Sequence, residues 1–158
     1  MAIRKIRVEG DPILYKTSKQ VTEMNKRNIE LIEDMLDTMY DANGVGLAAP
    51  QIGVLKRIVV IDVSEEGDEP MVLINPIITQ KDGEQKGAEG CLSVPGKHGV
   101  VTRADHVICK ALDENMQERE IEGTGLLARA IQHELDHLEG IIYTSKVEGE
   151  LMDNSEEE

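Results

Sequence analysis

The chain has 158 residues, with 17 Lys and Arg against 31 Asp and Glu, a formal charge of −14, three Tyr and neither Phe nor Trp. Such a surface repels phosphate backbones and anionic membranes, and the chain lacks the aromatic platforms on which bases stack. No nucleic-acid or membrane binding is expected, and the length fits one domain, taken as residues 1–148, followed by an acidic tail over 149–158.

The N-terminal "MAIRKIRVEGDP" holds no apolar run long enough for a signal peptide, and no later stretch approaches a membrane span. A cytoplasmic protein is expected, with Cys91 and Cys109 both as thiols.

Between Asn25 and Asp41 the apolar residues Ile29, Ile32, Met35, Leu36, Met39 and Tyr40 recur three and four apart, which predicts an amphipathic helix ended by "ANG". Its acids, Glu30, Glu33, Asp34 and Asp37, are expected to be solvated. The β-branched segments "RIVVIDV" and "MVLINPII" predict strands, and "KDGE" carries a hairpin signal. A Gly-rich stretch "GAEGCLSVPGKHG" follows, then "VVTRADHVICKAL" and "QEREI" around a second hairpin signal, "DENM". Short strands joined by tight turns predict antiparallel sheets, because parallel pairing needs longer crossovers. A last helix should start at Thr124 and stop at Gly140, and its apolar residues on more than one face make it central and buried. The tail "GELMDNSEEE" is expected to fray. Together these elements predict an α+β fold, with antiparallel β-sheets packed around a central C-terminal helix and an N-terminal amphipathic helix beside them.

That C-terminal helix carries "QHELDHLEG". Residues four apart on a helix lie one turn from each other, so His133 and His137 can reach one ion while Glu134 faces a water on it. Two core histidines satisfied by hydrogen bonds are the bland alternative. No histidine follows His137, Glu148 and Glu150 are the only plausible downstream carboxylates before the acidic tail, and little chain is left to hold either rigidly, so the third ligand is expected upstream. Cys109 alternates with Val107 and Ala111 as a small buried hydrophobe, and His98 and His106 lie in or beside polar turns as surface residues. Cys91, flanked by Gly90 and "LSVPG", completes a thiolate and two-imidazole set with a fourth position left for water.

With "GVGLAAPQIG", "EGCLSVPG" and "QHELDHLEG" in order, and "GDPIL" ahead of them, the sequence resembles the bacterial peptide deformylases over nearly its whole length, up to about Tyr143. The resemblance implies hydrolytic removal of the formyl group from the formyl-methionine terminus of new polypeptides, with release of formate. It implies Cys91, His133 and His137 as ligands of one divalent metal, Fe2+ by family habit with Zn2+ or Ni2+ as alternatives, and Glu134 as catalytic acid and base. Gln51 and the backbone N–H of Leu92 would bind the formyl oxygen. Val45, Gly46 and Gly90 would lie along the substrate strand, and Leu126 and Ala130, on the His133 face of the helix, would line the methionine slot. Arg129 stands where the family often has an apolar residue. Asp136 has three readings: orienting a ligand imidazole, pairing with Arg103, or an ordinary exposed acid. The implied partners are formyl-methionyl nascent peptides and, transiently, the ribosome, though the short acidic tail departs from the family there.

Overall fold

The structure, a computed structural model, describes residues 2–154. Two α-helices, α1 over Lys26–Asp41 and α2 over Gly125–Leu138, accompany eight strands: β1 Gly46–Ala48, β2 Ile58–Ile61, β3 Met71–Asp82, β4 Gln85–Cys91, β5 Val94–Arg103, β6 His106–Leu112, β7 Glu118–Thr124 and β8 Glu148–Asp153. The strands form a five-stranded sheet in the order β1-β2-β3-β6-β7 and a three-stranded sheet in the order β4-β5-β8. Every ladder is antiparallel.

Helix α1 begins where the Asn25 side chain accepts the Asn28 N–H at 2.9 Å, satisfying one of the donors a helix start leaves free. Leu31, Ile32, Met35 and Met39 are buried against β1 and β2. The buried stripe is shifted from the expected one: Ile29 is exposed, and Asp34, expected in solvent, is buried where Arg4 Nε donates to it at 2.8 Å. Burial of that carboxylate is tolerable because the guanidinium compensates it. Helix α2 packs against the five-stranded sheet through Ala128, Ala130, Ile131 and Leu138. It ends at Gly140 (φ +78°), where any Cβ would lie 2.6 Å from the Tyr15 backbone, so glycine is required there.

The "KDGE" segment is not a hairpin. The β3 ladder with β6 runs to the pair Asp82–His106, and the β4 ladder with β5 starts at Gln85–Arg103. Both flanks of the turn therefore pair with the long segment from β5 to β6, and that segment bends at Ala104 and Asp105 to pass from one sheet to the other. A local turn signal cannot report which distant segment its flanks will join. The tail also differs from expectation, since Glu148–Asp153 forms strand β8 on the edge of β5; residues 155–158 lie outside the described ones.

At the corner, His106 bridges three strands, with Nε2 2.6 Å from Glu122 Oε2 and Nδ1 3.0 Å from Asp82 Oδ2. Glu122 first, then Asp82, hold its pKa above the ordinary 6.5. A group whose folded pKa is raised stabilises the fold below its unfolded pKa and loses that contribution as pH rises through the folded value. His106→Gln should therefore lower Tm most below pH 6.5. The gap from the wild type should close at alkaline pH, as followed by thermal unfolding across a pH series; a gap that widens with pH would refute the bridge.

Candidate metal centre

Two layers converge at the end of β4. Glu89 and Cys91, two residues apart on the strand, point to the same side, and β-ladder register slips between them, as bulges near functional sites commonly do. Facing them, α2 presents His133 and His137 one turn apart, with ring centroids 5.0 Å from each other. Cys91 Sγ and one ring nitrogen from each histidine all lie within 4.8 Å of one another, and Sγ is 3.3 Å from His137 Nε2.

The donor set fits a metal. A thiolate with two imidazoles is a tetrahedral S/N set with room for a fourth ligand. His133 Nδ1 lies 2.5 Å from Glu89 Oε1, which fixes the ring and leaves Nε2 for the ion. Beside these groups Glu134 is 4% exposed, its Oε1 is buried without a partner, and burial pushes its carboxyl up to about 7. A buried carboxyl titrating near neutrality is suited to taking and giving protons. Strand β1 passes so close that a Cβ on Gly46 would fall 2.5 Å from Glu134 Oε2.

Gln51, in the 3-10 helix Ala49–Ile52, is 1% exposed; its Oε1 accepts the Ala48 N–H at 2.9 Å, so its Nε2 is turned toward Ser93 Oγ at 3.0 Å and Cys91 Sγ at 3.6 Å. Leu92 follows Cys91 and packs on the loop before β1, where a Cβ on Gly44 would meet Leu92 Cδ1 at 2.7 Å. A cavity of 490 Å³ opens here between the edge strands β1 and β4. Val45, Gly46, Gln51, Gly90, Leu126 and Ala130 line it together with Cys91, Leu92, His133 and Glu134, so the structure brings every sequence-predicted site residue except His137 to its wall. His137 is fully buried behind it.

The other candidates lie apart. Cys109 is fully buried between Val107 and Ala111, and burial pushes its thiol up to about 11. Glu148 pairs with Thr102 and Lys86 on the three-stranded sheet. His98 is a correction: it is 8% exposed, buried under the end of β8 with Nδ1 2.7 Å from Asn154 Oδ1. Its place beside a polar turn predicts a surface residue, whereas strand β8 pairs with β5 at His98–Met152 and covers it.

Glu89 escaped the sequence reading. It is 6% exposed and holds Arg103 through Nη2 at 2.5 Å and Nε at 3.1 Å, Arg129 Nη1 at 2.7 Å, and His133. Arg103 in turn donates to Asp136 Oδ2 at 2.7 Å, so Asp136 pairs with Arg103 and closes a ring of charges from β4 through β5 to α2. Burial works against the Glu89 carboxylate, yet His133 and Arg103 hold its pKa well below the ordinary range. The available signal was spacing: an acid two residues before a strand cysteine shares its face. Ser93, whose N–H lies 3.4 Å from Cys91 Sγ, was missed as well.

The family model for polypeptide deformylase matches residues 3–151. This chain belongs to the polypeptide deformylase family. It is 64% identical over 151 residues to a peptide deformylase of Lachnoclostridium phytofermentans, covering 96% of this chain and 93% of that one. Identity to a peptide deformylase of Agathobacter rectalis is 62%, over 97% and 95% of the two chains. Among solved structures it superposes on a peptide deformylase from Legionella pneumophila with a TM-score of 0.90 at 49% identity, covering 93% and 87% of the chains. One from Synechococcus elongatus, in complex with actinonin, gives 0.88 at 41% identity, over 92% and 79%. The protein is thus a metal-dependent hydrolase that removes the N-formyl group from nascent polypeptides. Its architecture is α+β with antiparallel sheets, and no helix among the described residues is long and apolar enough to cross a membrane.

Proposed function

We propose that Cys91, His133 and His137 hold the metal of this deformylase and that Glu134 moves the protons. The observation that carries this reading is the convergence of the Cys91 sulfur and the two ring nitrogens within 4.8 Å, beside a buried carboxylate with an unpartnered oxygen. A divalent ion bound there would acidify a water and polarise the formyl carbonyl. We assign Fe2+ on family resemblance, with Zn2+ and Ni2+ suited to the same donors.

An extended substrate lies along Val45, Gly46 and Gly90 between β1 and β4, each the edge strand of its sheet and so open to a further strand on one side. Its formyl oxygen receives hydrogen bonds from Gln51 Nε2 and the Leu92 N–H, and one such donor contributes about 3–4 kcal/mol as negative charge develops. Glu134 accepts a proton from the attacking water and returns it to the amine nitrogen as the formyl C–N bond breaks. Leu126 and Ala130 form an apolar slot for the methionine side chain. Helix α2, which touches β1, β2, β5, β6 and β7, is the central helix of the domain, and α1 is its amphipathic scaffold. The reaction takes place in the cytoplasm on formyl-methionyl chains.

Formate release from a formyl-Met peptide by anaerobically purified protein, with metal content determined on the same sample, tests the whole reading. Cys91→Ser should purify with substoichiometric metal and little activity, whereas Cys109→Ser should keep both. The reverse outcome would move the ligand to β6.

A further inference from the structure

The slot proposed for the first side chain does not end on an apolar group. Its mouth is apolar, with Leu126 53% exposed on α2 and Ala88 exposed across it on β4. At its buried end, 7% exposed and one helical turn before His133, stands Arg129. The guanidinium is fixed by three acceptors: Glu89 Oε2 to Nη1 at 2.7 Å, the Val101 carbonyl to Nη2 at 3.1 Å and Gln85 Oε1 to Nε at 3.3 Å. A guanidinium carries five N–H donors, so each terminal nitrogen keeps one that those bonds do not use. On one side the backbone of β4 lies close, since a Cβ on Gly87 would already be in van der Waals contact with Nη2 at 3.5 Å; on the other, Arg129 lines the cavity together with Leu126 and Ala130.

Resting on the slot reading above, we propose that Arg129 determines specificity by placing a hydrogen-bond donor under the first side chain, and that the enzyme therefore deformylates chains whose formyl-methionine has been oxidised to the sulfoxide. A thioether sulfur is a weak acceptor and gains little from the guanidinium. Oxidation turns the same side chain, at the same length, into one bearing a polar oxygen on a chiral sulfur. In a wholly apolar slot that oxygen would be buried without a partner and the substrate rejected; here a preorganised N–H is available, and because the guanidinium is held on three sides it can favour one epimer. The reaction itself is unchanged: water adds to the formyl carbon, the C–N bond breaks, the amine takes the proton, and the sulfoxide is neither reduced nor further oxidised.

The test compares kcat/KM for formate release from a formyl-Met tripeptide, its two separated sulfoxide epimers and the formyl-norleucine analogue. The wild type should process the better epimer within about tenfold of the methionine peptide and separate the epimers by about tenfold, or about 1.4 kcal/mol. Arg129→Met should lower the sulfoxide-to-methionine ratio about tenfold and abolish the epimer preference, while the methionine-to-norleucine ratio stays within about twofold. Arg129→Lys should keep part of the sulfoxide activity. A wild type that rejects both epimers more than a hundredfold, or an Arg129→Met variant that lowers all substrates in parallel, would overturn the proposal and leave Arg129 as a support for Glu89. The epimer comparison needs no variant, so it stands even if Arg129→Met fails to fold. Ala130→Phe reports on the slot independently, since it should raise KM for the formyl-Met peptide far more than for a formyl-Gly peptide. Failure there removes the slot itself, whatever the sulfoxides do.

Discussion

Glu134→Ala should purify with the metal content of the wild type and lose about 10²–10⁴-fold in kcat for deformylation, the usual contribution of a positioned general acid and base. Metal retention is expected because the three donors proposed to hold the ion, Cys91 on β4 and His133 and His137 on α2, are untouched. The loss is expected because no other carboxylate in the cavity is available. Glu89 is engaged on both oxygens by His133, Arg103 and Arg129, and cannot substitute. Glu134→Gln, of the same size, should behave like the alanine variant, which separates proton transfer from packing against Gly46. Deformylation within about tenfold of wild type by either fully loaded variant would remove Glu134 from its role.

Glu89→Leu should be the most damaging substitution away from the reacting atoms. It removes the carboxylate on which two buried guanidiniums and the His133 imidazole converge, and breaking a buried ion pair from one side typically costs about 3–5 kcal/mol because the remaining charge is left uncompensated. His133 would also lose the acceptor that fixes its ring, and removal of such a partner lowers metal affinity by about 10–100-fold. Thermal unfolding and competition with a chelator read the two effects separately. Glu89→Gln, which keeps one acceptor oxygen, should fall between. Wild-type metal affinity in a folded Glu89→Leu variant would show that the imidazole is oriented by something else.

The parts legible in the sequence were those written in local periodicity or in single-residue chemistry. Helix α2 was marked by Thr124 and Gly140 at its ends, and the HExxH spacing put two imidazoles and a carboxylate on it. Cys91 stood out from Cys109 because the latter alternates with apolar neighbours on a strand, and the structure buries it there. What escaped depends on partners far along the chain. The Glu89–Arg103–Asp136 ring joins residues on three elements, and although the spacing to Cys91 puts Glu89 on that face of β4, no local pattern names the distant guanidiniums it binds. The same holds for His98, whose burial requires β8, and for the turn at Gly83, whose flanks pair with β5 and β6 instead of with each other.

The two open strand edges that face each other across the cavity have a colloidal consequence. Unpaired backbone along β1 and β4 welcomes any extended polypeptide, including an unfolding copy of the same chain, and such edges seed association unless something opposes it. Here the opposing force is the net charge of −14, which keeps like molecules apart at low ionic strength. That repulsion is screened beyond about 8 Å at physiological salt, so concentrated samples should cluster first where salt is high or pH approaches the isoelectric point near 4.7.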